Sequence, residues 1–110
     1  MKGRFRWDDW NEEHIRKHGV TRTEAEYVGQ HSGPPFPREI GRRKFLVRGK
    51  TAAGRYLQVI YVVRSDEEID YERLTLTDMI ELTETSGPIL YIIHARDLTR
   101  REKAKLRRNR

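Results

Sequence analysis

The chain of 110 residues contains no cysteine, so it has no disulfide framework, no thiolate nucleophile and no cysteine-ligated zinc or iron–sulfur cluster. Apolar residues are scarce. They make up 35% of the chain against 36% charged residues. No apolar run approaches the roughly 20 residues of a membrane span. The N-terminal stretch MKGRFRWDDW lacks the apolar centre of a secretory signal. Other absences narrow the chemistry. The glycines between Gly49 and Gly54 are not followed by the Gly-Lys-Ser/Thr ending of a phosphate-binding loop, no HExxH pattern occurs, and nothing resembles a Ser–His–Asp arrangement. Three apolar runs do punctuate the charge, which argues against wholesale disorder. A chain of this length supports one modest core, so residues 1–110 read as a single domain, expected in the cytoplasm.

Charge is plentiful and strongly segregated. Residues 96–110 hold eight Lys/Arg against two Asp/Glu, and residues 38–55 hold seven against Glu39 alone, so each segment is net +6. Residues 66–84 hold eight acids against Arg73, net −7. Basic clusters of this density commonly meet polyanions, nucleic acid above all, although a Lys/Arg-rich tail can also be a solvated helix end. Nucleic acid is therefore the expected partner, and Arg43, Arg48, Arg100, Arg101 and Lys105 are candidate contacts to it.

Local signals predict an α+β domain: two N-terminal helices, an antiparallel sheet of three to four strands, and a C-terminal basic helix. Residues 4–7 suit a short strand. Asp9 with Glu12, Thr21 with Glu24, and Thr99 with Glu102 each have capping-box spacing and predict three helix starts. Gly19 should end the first helix, and the second should cross Glu24 to Gln30. Ser32, Gly33, Pro34, Pro35 and Pro37 force a loop. Lys44 to Arg48 and Tyr56 to Val63 form a hairpin around Thr51 to Gly54, and Ile89 to Arg96 is a further strand. Residues 65–87 read as an acidic excursion in which Thr77 to Glu84 is either a short helix or an edge strand.

The last strand carries the best candidate for chemistry. Strict alternation places Leu90, Ile92, His94 and Arg96 on one face and Ile89, Tyr91, Ile93 and Ala95 on the other. His94 can exchange a proton near neutral pH, and Arg96 can stabilise the growing charge of a phosphate. Metal-free RNA cleavage needs such a pair. A base takes the ribose 2′-hydroxyl proton, that oxygen attacks the adjacent phosphate, and an acid protonates the departing 5′-oxygen. The competing reading makes His94 a hydrogen-bonded sheet residue and pairs Arg96 with Asp97 or another carboxylate. His14 and His18 share one helix face beneath Trp10. They suit packing on the sheet, or a phosphate contact by His18 beside Lys17, better than a two-histidine metal site. No metal or cofactor is assigned.

Taken together, Phe5-Arg6-Trp7-Asp8, Lys17-His18-Gly19-Val20 with Thr21 and Glu24-Ala25, Phe45 to Gly49 with Gly54-Arg55, and Ala95-Arg96 with Thr99 and Arg101-Glu102 resemble the BrnT family. That family comprises toxins of bacterial type II toxin–antitoxin modules. The resemblance implies a RelE-like fold, metal-independent endoribonuclease activity, and a small antitoxin partner of ribbon-helix-helix type, in a homodimer or a toxin–antitoxin hetero-oligomer. It places Lys17 and His18 at the family's first helix end, Lys44 where an arginine is usual, and Arg96 on the family's serine–alanine–arginine motif. On this reading His94 and Glu102 are candidate proton carriers, and Arg96, Lys44 and Arg55 are candidate phosphate stabilisers. Glu102 has a competing capping role through Thr99. Three departures stand out: His94 replaces the usual serine, His14 replaces a common asparagine, and Leu106 stands where a tyrosine is common. Residues 65–87 are an insertion relative to short members. The alternative is a non-catalytic module on the same scaffold that binds nucleic acid or antitoxin.

Overall fold

The computed structural model describes residues 4–64 and 88–108. The acidic excursion, with its helix-or-strand alternatives at Thr77 to Glu84, lies outside them. The described elements run β1 (Arg4–Arg6), α1 (Asp9–Arg16), α2 (Arg22–His31), β2 (Arg38–Gly41), β3 (Lys44–Lys50), β4 (Tyr56–Arg64), β5 (Ile89–Asp97) and α3 (Arg100–Arg108). Among these, no helix is long and apolar enough to cross a membrane.

The α+β class stands, but the expected sheet does not. It has five strands in the order β1-β5-β4-β3-β2 and is mixed rather than antiparallel, because β1 lies parallel to β5 with Arg4 opposite Ile89 and Arg6 opposite Tyr91. The other edge strand, β2, pairs antiparallel with β3 and is exposed at every position. Its sequence Arg-Glu-Ile-Gly therefore lacks the apolar alternation that marks a half-buried strand. The RelE-like arrangement is likewise corrected. Two helices precede strands β2 to β5 and one follows, around a mixed five-stranded sheet.

The helices start and stop for local reasons. Asp8, not Asp9, caps α1. Its carboxylate accepts from the Asn11 backbone N–H at 3.1 Å, and the Asn11 side-chain oxygen accepts from the Asp8 N–H at 2.8 Å. Helix α1 gives way to a turn that closes at Gly19, where φ is +69°, a conformation in which a Cβ is costly. Thr21 and Glu24 form the predicted reciprocal cap of α2. The buried stripe Ile15, Val20, Ala25 and Val28 then packs on Val47, Leu57, Val59, Tyr61, Leu90, Ile92 and Ala95 of the sheet. This helix-covered face is the core, and the opposite face holds most of the candidate chemistry.

Asn11 is completely buried and sets the entry into α1. Besides capping, its amide donates to the Arg6 carbonyl at 3.0 Å, which joins the helix start to the end of β1. Replacing it by alanine strands that carbonyl and the Asp8 N–H. Asn11→Ala should cost about 1–3 kcal/mol, read as a lower urea midpoint at unchanged slope. An unchanged midpoint would show that water replaces both bonds.

Candidate active site

Strict alternation fails in β5. His94 pairs with Ile60, but the next pair is Ile92 with Tyr61, so Ile93 is an extra residue on the β5 side. Such a bulge flips the side-chain sequence beyond it. Ala95 consequently joins Leu90 and Ile92 in the core, while His94 and Arg96 move to the face of Tyr91. The face assignment made from sequence is corrected accordingly. His94 and Arg96 still share a face, but not with Leu90 and Ile92.

Cross-strand register arranges this face in rows. Arg48, Gln58 and Arg96 lie side by side, then Leu46, Ile60 and His94, then Lys44, Val62 and Tyr91. Helix α3 closes the first row through Glu102. Its carboxylate accepts from Arg96 Nη1 and Nη2 at 2.8 and 2.9 Å, from Arg48 Nη2 at 2.9 Å, and from the Thr99 backbone N–H at 2.8 Å. Gln58 steadies Arg48 Nε at 3.0 Å. The hydrogen bonds from Arg96 and from the Thr99 N–H, with the nearby charges of Arg96 and Arg48, pull the Glu102 carboxyl down to about 2. At neutral pH Glu102 is thus an ionised anchor with its lone pairs committed, a state unsuited to delivering a proton. Two guanidiniums against one carboxylate leave one positive charge in excess beside His94.

His94 faces the turn that follows α1. Its ring lies 5.6 Å from that of His18, edge to face. Burial, helped by the positive charges of Arg96, His18 and His14, pushes the His94 pKa below the ordinary imidazole value of 6.5. His94 is therefore mainly neutral at pH 7 and able to accept a proton. The row of α1 side chains behind it continues upward, with His14 stacked on Trp10 at 4.9 Å and Trp10 beside Tyr91 at 6.4 Å. Among the described residues, no three His, Asp or Glu side chains gather as a metal site.

The other candidates separate into two groups. Arg55 is fully engaged: it holds Asp97 at 2.7 and 2.9 Å, the Glu24 carboxylate at 3.2 Å and the Gly19 carbonyl at 2.7 Å. It clamps the turn carrying His18 to the end of β5, which is a positioning role. The Asp97 carboxyl is held below its usual range by that guanidinium. Lys17 and His18 are exposed at the end of α1, Arg43 and Lys44 at the start of β3, and Arg100, Arg101 and Lys105 along α3. Lys44 lies four residues from Arg48 on β3, about 13 Å away, so it does not join the row of Arg96. Leu106 is buried and, with Arg48, Lys50, Tyr27 and His31, lines a cleft of about 550 Å³ between α2, β3 and α3. Gln58, Asn11, Tyr91 and Trp10 escaped the sequence reading as site-building residues. Only the Asp8–Asn11 spacing signals one of them in advance.

Because Glu102 titrates at about 2 when folded against 4.5 for a free carboxyl, its contribution to stability is complete above pH 4.5 and is lost as pH falls toward 2. Glu102→Gln should lower stability at pH 7 by about 1–2 kcal/mol after allowance for solvent screening. The gap from wild type should close progressively between pH 5 and pH 2 in urea denaturation. A gap independent of pH would show that Glu102 acts through shape alone.

Compared with protein-family models, with curated proteins and with solved structures, the chain has no match in any of the three.

Proposed function

We propose that this protein is a metal-independent endoribonuclease acting in the cytoplasm as the toxin of a BrnT-like type II module. The observation that carries the reading is the pair of imidazoles, His18 and His94, 5.6 Å apart beside a guanidinium row of net positive charge. The pieces that carry the resemblance converge there. His18 and Gly19 come from the lysine–histidine–glycine element, Arg96 from the alanine–arginine element, and Arg55 links the two through the Gly19 carbonyl and Asp97.

Neutral His94 accepts the ribose 2′-hydroxyl proton as that oxygen bonds to the adjacent phosphorus. The bond from phosphorus to the 5′-oxygen breaks, and His18 acts as the general acid that supplies the proton the departing oxygen takes. The products are a 2′,3′-cyclic phosphate and a free 5′-hydroxyl. Arg96 and Arg48 stabilise the extra negative charge on the phosphoryl oxygens, and Glu102 fixes where their remaining N–H donors point. The exposed cations of α3, with Lys17, Arg43 and Lys44, attract the strand and hold its backbone. An antitoxin of ribbon-helix-helix type would control this surface.

The test is cleavage of end-labelled RNA in excess EDTA. Wild type should release fragments with cyclic phosphate ends. His94→Gln should slow cleavage by about 10²- to 10⁴-fold, and Arg96→Ala by about 10²- to 10³-fold. Since burial lowers the His94 pKa, the rise of rate with pH that reports this base should have its midpoint below 6.5, and His94→Gln should remove that rise. RNA bound but left intact would overturn the enzyme in favour of a non-catalytic RNA-binding module.

A further inference from the structure

We propose that Trp10 is the platform of a nucleobase-stacking subsite that holds a base of single-stranded RNA next to the His18–His94 pair. The inference rests on the RNA-directed reading above and adds a residue that neither the basic segments nor the resemblance contains.

Trp10 is 56% exposed, and with Ile40 it forms the whole set of exposed large hydrophobic residues among those described. Exposure of an indole at the start of a helix costs free energy that a core position would recover. The ring is nevertheless held in a defined plane. His14, one turn on, stacks on it at 8° between planes, and Tyr91 approaches at 19°. Tyr91 is itself pinned. Its hydroxyl donates to the Asp8 carboxylate at 2.9 Å, and the Arg64 guanidinium sits 3.8 Å over its ring. Burial and the Asp8 carboxylate push the Tyr91 phenol up to about 12, so this anchor stays protonated at any working pH.

The platform is therefore rigid and backed by aromatic rings. Cations border it as well: Lys17 follows seven residues on, just past the end of α1, and the Arg64 guanidinium lies over Tyr91. Interleaved aromatic faces and positive charges suit single-stranded nucleic acid, whose bases stack while its phosphates pair. Trp10 lies about 9 Å of helix rise from Arg16 at the end of α1, with His18 in the turn just beyond, a span that a short extended strand covers. A base on Trp10 and a phosphate at His94 are thus reached by one strand running along α1. Glu12 and Glu13 of α1 lie with Asp9, Arg16 and Lys17 along a surface depression of the helix.

The experiment measures binding of a 2′-O-methyl RNA oligonucleotide, which lacks the nucleophilic hydroxyl, so that affinity is read without cleavage. One base at a time is replaced by an abasic residue. Wild type should lose roughly 5- to 100-fold in affinity at one position. Trp10→Ala should show the same loss with the intact strand and no further loss at that position, while Trp10→Phe should recover part of it. The slope of affinity against salt should be the same for wild type and Trp10→Ala, because stacking releases no counterions. Tryptophan fluorescence should be quenched on binding in wild type and unquenched in Trp10→Ala. Unchanged affinity in Trp10→Ala, or an abasic penalty that persists in it, overturns the subsite and leaves Trp10 as a contact for a protein partner. If the abasic signature holds while ordinary RNA is not cut, the subsite stands and the ribonuclease reading falls. If wild type does not bind RNA, both fall.

Discussion

One surplus residue in β5 governs where everything else goes. Ile93 has no partner on β4, and by occupying a position in the strand it turns the following side chains over. Without it, His94 and Arg96 would point beneath the helices, into space filled by Ile15, Val28 and Ala95. An imidazole and a guanidinium there would need buried partners that the apolar core does not supply. With the bulge in place, a small alanine fills the tight core position and the polar groups reach the open face. The apolar residues under the helices and the chemistry on the other side are two consequences of a single irregularity in pairing.

Electrostatics divides the many cations by function. Arg55, Arg96 and Arg48 are held in fixed networks, and Arg55 and Arg48 join segments far apart in sequence. Glu102 and Arg48 are 54 residues apart, and Arg55 and Asp97 are 42. Arginine suits these tasks because its planar fork meets a carboxylate at two points. The exposed Arg100, Arg101 and Lys105 of α3 join no such network among the described residues. A count of positive charge treats both groups alike, although only the first is held by carboxylates.

The sequence announces what depends on neighbours a few residues away. The caps at Thr21 and Thr99, the stop at Gly19 and the strands from Lys44, Tyr56 and Ile89 follow from such local patterns. The first cap was displaced by one residue because Asp8 and Asp9 both fit, and Asn11 as the reciprocal partner decided between them. What stayed hidden depends on pairing. Nothing in Arg-Glu-Ile-Gly marks β2, which exists because β3 offers it a ladder. A three-residue segment such as β1 becomes a strand only when β5 lies beside it. The site was half legible for the same reason: the residue types at the end of β5 were plain, whereas their face, and the meeting of His94 with His18, awaited the register.

The parallel pairing of β1 with β5 has a consequence for synthesis. The first strand of the described chain takes its ladder from a strand made after β2, β3 and β4. Helix α1 also packs on β5, and the clamp from Arg55 ends on Asp97. A growing chain can close the β3–β4 hairpin early, but its N-terminal segment has no permanent seat until β5 emerges. During that interval the apolar stripe of α1 and α2 lacks the part of its cover that Leu90, Ile92 and Ala95 supply. It also means that His18 and His94 do not meet on an incomplete chain: the site comes into being in the same step that finishes the sheet.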